Sequence, residues 1–207
     1  MKKNKPKVVK TGAGKKNIAN FFFEVGMLAK TPRSGFHFLG TGKQSVAEHV
    51  TRTSFIGYAL AEIDGSVDVL KVLKMCLLHD ITETRISDLN HMHQKYVERK
   101  EHNAVKDITD SVPFGQDMFV ILEEYEKRTS KESIIAKDAD NLEWLLSMKE
   151  ELDNGNTRAI DWMKSAMNRL KTPLAIALAK EISSTDSNDW WEGGKNGEWW
   201  KGANPKK

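Results

Sequence analysis

The stretch Met75-Cys76-Leu77-Leu78-His79-Asp80-Ile81-Thr82-Glu83 decides how this chain is read. An apolar segment runs into an adjacent His-Asp pair, and a Glu follows four residues after the His. On a helix, residues at i and i+4 share a face, so His79 and Glu83 lean into one pocket with Asp80 close by. Upstream, Val69, Leu70, Val72 and Leu73 continue the apolar run, which predicts one buried helix from Val67 to Glu83. Buried His and Asp side chains without partners cost several kcal/mol. An imidazole and a carboxylate at the end of a buried helix suit a divalent metal. On its own a His-Asp pair is more often solvated or hydrogen-bonded, so the reading turns on what accompanies it elsewhere.

Two further segments supply that company. Ser45-Val46-Ala47-Glu48-His49 lies upstream and Lys137-Asp138-Ala139-Asp140-Asn141-Leu142-Glu143 lies downstream. A His, then a His-Asp pair, then a distant Asp, each on a predicted helix, resembles the ligand pattern of the HD-domain phosphohydrolases. The resemblance is closest to the YfbR-like 5'-deoxynucleotidases. Pro32-Arg33-Ser34-Gly35-Phe36, Asp88 and Glu123-Glu124-Tyr125 match further parts of the pattern, in order, over roughly residues 20 to 185. The resemblance implies an all-α helical bundle with His49, His79, Asp80 and Asp140 holding one divalent ion. Two imidazoles and two carboxylates accept Mn, Co, Fe, Zn or Mg without selecting one. It further implies Arg33 as the phosphate-binding residue, Phe36 packing against sugar or base, Asp88 positioning water or protonating the leaving 5'-oxygen, and Glu124 at the sugar end. Glu83, beside His79, is placed to take a proton from water as general base. The substrate implied is a deoxynucleoside 5'-monophosphate. A deoxynucleoside triphosphate hydrolase with the same ligands is the alternative, with Lys43 and Arg52 as extra cations. A catalytically silent nucleotide-binding scaffold is the third reading. The same family implies a homodimer.

Composition sets the outer bounds. At 207 residues the chain forms one domain with a sizeable core. No apolar run approaches the roughly 18 residues needed to cross a bilayer, and residues 1–16 lack the apolar segment of a secretory signal. The single cysteine, Cys76, excludes an internal disulfide and reads as a small buried hydrophobe. These features point to the cytoplasm. The net charge of +3 comes from residues 1–16, which hold seven Lys and no acid; the 32 Lys and Arg less those seven leave 25 against 29 Asp and Glu, a body of −4. Residues 1–16 therefore read as a disordered basic tail and not as a nucleic-acid-binding surface.

The other elements follow from period and caps. Residues 17–30 read as a helix whose face, with Phe21 and Phe22, packs in the core. Ser45-x-x-Glu48 is a capping box that starts the helix carrying His49. His91 and His93 form an H-x-H pair assigned to exposed or supporting positions, and one polar helix is expected over 94–111. Thr129-x-x-Glu132 is read as the capping box of the helix carrying Asp140, with Asp138 facing outward. Thr172 and Pro173 mark the start of a last helix. The 186–207 segment holds four of the six Trp among Gly, Ser, Asp and Asn, and its Trp pairs are expected to pack on the body or on a partner subunit.

Overall fold

The computed structural model describes residues 12–192, and these are helical with no strand; the one bridge pairs Pro32 with Ser45 across the ends of a loop. The helices are α1 (Gly12–Val25), continued by a 3-10 turn (Gly26–Ala29), α2 (Phe36–Leu39), α3 (Val46–Asp64), α4 (Val69–Leu78), α5 (Glu83–Ile86), α6 (His91–Tyr96), α7 (Glu101–Asp110), α8 (Gly115–Lys127), α9 (Lys131–Asp153), α10 (Ala159–Arg169), α11 (Pro173–Ser184) and α12 (Asp189–Glu192). The all-α bundle expected from the periodicity is what the chain forms.

The 23-residue α9 is the axis. Most of its residues between Ser133 and Lys149 are buried, and α3, α4, α8, α10 and α11 pack around it. The larger core joins Leu60, Val72, Met75, Ile135, Leu142, Leu145 and Met148. A smaller core joins Leu28, Val46, Val50, Ile81, Ile108 and Leu122 beneath α1 and α7. Helices α3 and α4 approach closely at Gly57, where a Cβ would stand 2.4 Å from Cys76 Sγ. Cys76 is fully buried, as read from sequence, and burial pushes its thiol up to about 12.

Several boundaries are set by local chemistry. Ser45 makes the expected capping box with Glu48, and Thr172 caps α11 with Pro173 in its first turn. The cap of α9 is Ser130, not Thr129: its hydroxyl accepts the Ser133 N–H, while Glu132 accepts the backbone N–H of Asp68. Asp138 faces inward, not outward. It is buried and accepts the Lys171 N–H at 2.9 Å and the Thr172 N–H and hydroxyl, each at 2.7 Å, tying α9 to the start of α11.

The expected helix over 94–111 is two helices. Asn90 caps α6 through the N–H groups of Met92 and His93, and extended Val97 ends it before α7. Residues 12–16, assigned to the tail, belong to α1; residues 1–11 lie outside the described residues. Along α1, Phe21 packs edge-on against Phe114 at 5.5 Å, but Phe22 and Phe23 are 66% and 81% exposed, so the aromatic run is core at one position and not at three. Trp190 is 86% exposed on α12, and Trp199 and Trp200 lie outside the described residues.

Candidate metal centre and substrate cavity

The predicted helix over Val67–Glu83 is broken where it matters. α4 ends at Leu78, with His79 as its C-cap. The chain then tightens into i→i+3 turns, with Ile81 N–H donating to Leu78 O at 2.9 Å and Glu83 N–H to Asp80 O at 3.0 Å. Threonines favour this break, since β-branching narrows their helical rotamers and the Thr84 hydroxyl donates to Ile81 O at 2.8 Å. Glu83 therefore starts α5 and does not continue α4. The tight turn still delivers His79, Asp80 and Glu83 to one place.

Four predicted ligands converge there. The Nε2 atoms of His49 and His79 stand 3.3 Å apart. Asp140 Oδ1 is 3.2 Å from His49 Nε2 and 4.0 Å from His79 Nε2. Asp80 Oδ2 is 3.5 Å and 3.3 Å from the same two nitrogens. Both His are buried. Their other nitrogens fix the tautomers. His79 Nδ1 donates to the Cys76 carbonyl at 2.8 Å, and His49 Nδ1 donates to Glu143. In the neutral rings each Nε2 presents a lone pair, facing its twin and two carboxylate oxygens; His49, which without an ion keeps a second proton shared with Asp140, would exchange that proton for a cation. Such an acceptor-only cluster in a buried setting is satisfied by a cation, so the residues present fit a divalent metal. Among the described residues, His49, His79 and Asp140 offer donor atoms that all lie within 4.8 Å of one another.

Charge follows from burial and partners. For His49, burial and Arg33 oppose protonation, but Asp140 and Glu143 outweigh them and lift it to about 9. Burial lowers His79. Burial works against ionising Asp140, yet Lys137 and the two His hold it well below the usual carboxylate range. Lys137 Nζ sits 2.6 Å from Asp140 Oδ2.

Glu143 is the functional residue that sequence reasoning passed over. It is fully buried and receives His49, Gln44 Nε2 at 2.6 Å, Arg52 Nε at 2.9 Å and Ser147 Oγ at 3.1 Å. Against burial, His49 and Arg52 hold its carboxyl down to about 2. Its signal was present, since Glu143 stands at i+3 from Asp140 and so on the same face of α9. Arg52, three residues after His49, is absorbed here and by Glu150, so it does not serve as a phosphate cation.

A cavity of about 480 Å³ opens above the cluster. Arg33, Asp80, Glu83, Asp88 and Asp140 line its floor, Arg99, Lys137, Asp161 and Arg169 add further charge, and Phe38, Trp144 and Trp162 form an aromatic wall. The loop carrying Arg33 is pinned at its base, with Arg33 N–H donating to Gln44 O at 2.8 Å and Val46 N–H to Thr31 O at 2.9 Å. The Arg33 guanidinium lies 3.4 Å from Asp80 Oδ2, 3.7 Å from Asp88 Oδ2 and 5.8 Å above the Trp144 ring. Burial opposes its charge, but Asp80 and Asp88 keep it firmly protonated. Asp88 Oδ2 also accepts the Ser34 N–H at 2.9 Å. The chain reaches Asp88 through Ser87, which holds a left-handed φ of 62°, an unusual conformation for a residue with a side chain. Gly35 is required beneath this loop, because a Cβ there would stand 2.7 Å from the Trp144 ring.

Glu83 is buried, with Oε2 lacking a hydrogen-bond partner, and so is Arg33 Nε. Burial first, then Asp80 and Asp88, push the Glu83 carboxyl up to about 10. A carboxyl oxygen and a guanidinium nitrogen without hydrogen bonds on one cavity make a site ready to meet a polar substrate.

Two expected contacts fall elsewhere. Phe36 turns into the core, 8% exposed and edge-on to Trp144 at 5.5 Å, and does not line the cavity; Phe38, one helical step further, does. Glu124 points away from the cavity and pairs with Lys71 at 3.0 Å. Of the H-x-H pair, His91 lines the cavity and His93 does not.

An all-helical bundle whose core holds a His-His-Asp-Asp cluster beneath a cavity lined by Arg33 and by carboxylates is built for hydrolysis at a divalent ion. Residues 25–182 match the family described as HD domain, and the chain belongs to that family. The 5'-deoxynucleotidase HDDC2 of Bos taurus is 27% identical over 187 residues, which is 86% of this chain and 90% of that protein. A 5'-deoxynucleotidase of Photorhabdus laumondii is 28% identical and covers 67% of this chain and 75% of its own length. Among solved structures, a conserved hypothetical protein from Pyrococcus furiosus superposes with a TM-score of 0.67 at 26% identity, over 81% of this chain and 99% of that one. The chain is thus an HD-domain phosphohydrolase, an enzyme of metal-dependent chemistry.

Proposed function

We propose that this protein is a metal-dependent 5'-deoxynucleotidase, converting deoxynucleoside 5'-monophosphates to deoxynucleosides and orthophosphate. The observation that carries the reading is the meeting of two Nε2 lone pairs and two carboxylates at the floor of a cavity that also holds Arg33. His49, His79, Asp80 and Asp140 hold the ion. When bound, the ion supplies a Lewis acid for water and a phosphate oxygen, and positive charge that brings Glu83 back toward the carboxylate form.

The chain's own groups do the rest. Arg33 binds the phosphate through its guanidinium and offsets charge that grows in the transition state. Glu83 takes the proton of the attacking water through its unpaired Oε2. Both contacts of Asp88 run through Oδ2, which holds Arg33 and the Ser34 amide in place and leaves Oδ1 to orient water or protonate the leaving 5'-oxygen. Glu143 and the Cys76 carbonyl keep both imidazoles in the ligating tautomer. The phosphorus–O5' bond breaks and the water oxygen enters the phosphate.

Lys43 and Arg52, the cations considered for a triphosphate, lie outside the cavity, and the 5'-deoxynucleotidase relatives support the monophosphate. The functional unit expected over residues 17–185 is proposed to begin with α1 at Gly12, between a basic segment at 1–11 and a Trp- and Gly-rich segment at 186–207. The family resemblance supports a homodimer acting in the cytoplasm, which light scattering and cell fractionation test. No helix among the described residues is long and apolar enough to cross a membrane. The activity is tested by phosphate release from deoxynucleoside monophosphates, with His49→Ala and Asp140→Ala as controls. Equal release by those variants contradicts the reading.

A further inference from the structure

The cavity has a second half that phosphate chemistry leaves unused. Its wall is aromatic and comes from three elements: Phe38 on α2, Trp144 on α9 and Trp162 on α10. The Phe38 and Trp162 rings are near parallel, with 18° between planes, and their centroids are 6.5 Å apart. That spacing is ordinary for an offset stack, so the two rings form one continuous aromatic face that a base can stack on from the cavity side. Trp144 braces the wall, edge-on to Trp162 at 5.9 Å and edge-on to buried Phe36 at 5.5 Å. Phe38 itself is 43% exposed, unusual for a phenylalanine that the larger core could have taken. Further along α10, Ser165 and Arg169 also line the cavity, on the face that carries Trp162, and offer donors to the edge of a base.

We propose that the stacked Phe38–Trp162 pair is a one-sided nucleobase clamp, a stacking face with Trp162 as the specificity-determining residue, and that the clamp makes purine deoxynucleotides the preferred substrates. Each base has a π-face for stacking, and the two-ring purines present the larger one. Arg33 and the clamp then hold the two ends of one nucleotide. Base binding at the wall fixes the phosphate end over the metal centre, so the clamp acts on productive binding and its loss raises KM more than it lowers kcat. The inference takes its substrate from the nucleotidase reading, and the test separates the two.

The metal-loaded full chain is assayed with dGMP, dAMP, dCMP, dTMP and 2-deoxyribose 5-phosphate. Expected are kcat/KM values for the purine nucleotides about tenfold or more above that for 2-deoxyribose 5-phosphate, with pyrimidines between. That ratio falls toward one in Trp162→Ala and in Phe38→Ala, and Trp162→Phe restores it. Equal turnover of the abasic substrate, or an unchanged ratio in both alanine variants, overturns the clamp and leaves the phosphatase standing. Trp162 packs on Trp144, so if Trp162→Ala fails to fold, the more exposed Phe38→Ala decides. Should no monoester be hydrolysed, the nucleotidase reading fails, and calorimetry with deoxyguanosine decides the clamp alone. Binding weakened about tenfold by Phe38→Ala supports it, and absent or Phe38-independent binding overturns it.

Discussion

Replacing Glu143 by Gln keeps the side chain's shape and removes its charge. Four donors converge on this buried carboxylate: His49 Nδ1, Gln44, Arg52 and Ser147. An amide can accept from only some of them, and its NH2 faces donors. Two costs follow. His49 loses the acceptor that fixes its tautomer, and such a loss lowers metal affinity by about 10- to 100-fold, or about 1.4–2.7 kcal/mol. Arg52 and His49 also lose a buried counter-charge, and breaking such a pair by removing one partner costs about 3–5 kcal/mol. For a domain of this size each kcal/mol moves Tm by about 2–4 °C, so the metal-free variant should melt at least about 6 °C lower. Competition against a chromogenic chelator gives the affinity, and calorimetric melting of stripped protein gives the stability. A variant that binds metal within twofold of wild type would refute the claim that Glu143 governs His49.

Other substitutions separate the remaining roles. Glu83→Gln should cut kcat by about 10²–10⁴ while leaving metal binding in place, read by steady-state phosphate release; full activity sinks the general-base assignment. The same variant should be more stable than wild type when metal-free at pH 8. The folded-state carboxyl sits near 10, above its unfolded value of 4.5, so wild type loses stability as pH rises through that window and the amide does not. Melting curves at pH 5 and pH 8 should show the gap widening at pH 8. Glu143 has the opposite sign: lowered to about 2 from 4.5, it stabilises wild type above pH 4.5, and that contribution is lost as pH falls toward 2. Acid titration of Glu143→Gln should lack that loss. Asp138→Ala removes three hydrogen bonds at the start of α11 and should cost about 2–4 kcal/mol by denaturant unfolding, with kcat per folded molecule unchanged.

Much of the site was legible because its residues sit at fixed offsets on helices. His49 follows a capping box by one residue, and His79-Asp80 ends an apolar run, so both positions are readable from the sequence alone. The break after Leu78 was not legible: an apolar periodicity cannot register a switch from i→i+4 to i→i+3 hydrogen bonding. Asp138 and Asp140 are two apart on α9 and point to different partners, and only the docking of α11 reveals that Asp138 is buried too. Phe36 and Phe38 differ in the same way. Both follow Arg33 closely, and the rotation of the four-residue α2 decides which one meets the cavity. Glu124 was assigned by matching a pattern, and Lys71 on α4 claims it. Exposed Phe22 and Phe23 show the limit of composition, since an aromatic run on a helix cannot all face one core.

The central claim is metal-dependent removal of a single phosphate, and product analysis tests it most directly. Chelator-stripped protein is incubated with each deoxy- and ribonucleoside 5'-monophosphate and triphosphate, with Mn, Co, Mg or Zn added separately, and the products are resolved by chromatography. The account predicts deoxynucleoside and orthophosphate from the deoxy monophosphates, and only when metal is present. Tripolyphosphate from the triphosphates, or no turnover with any metal, would contradict it.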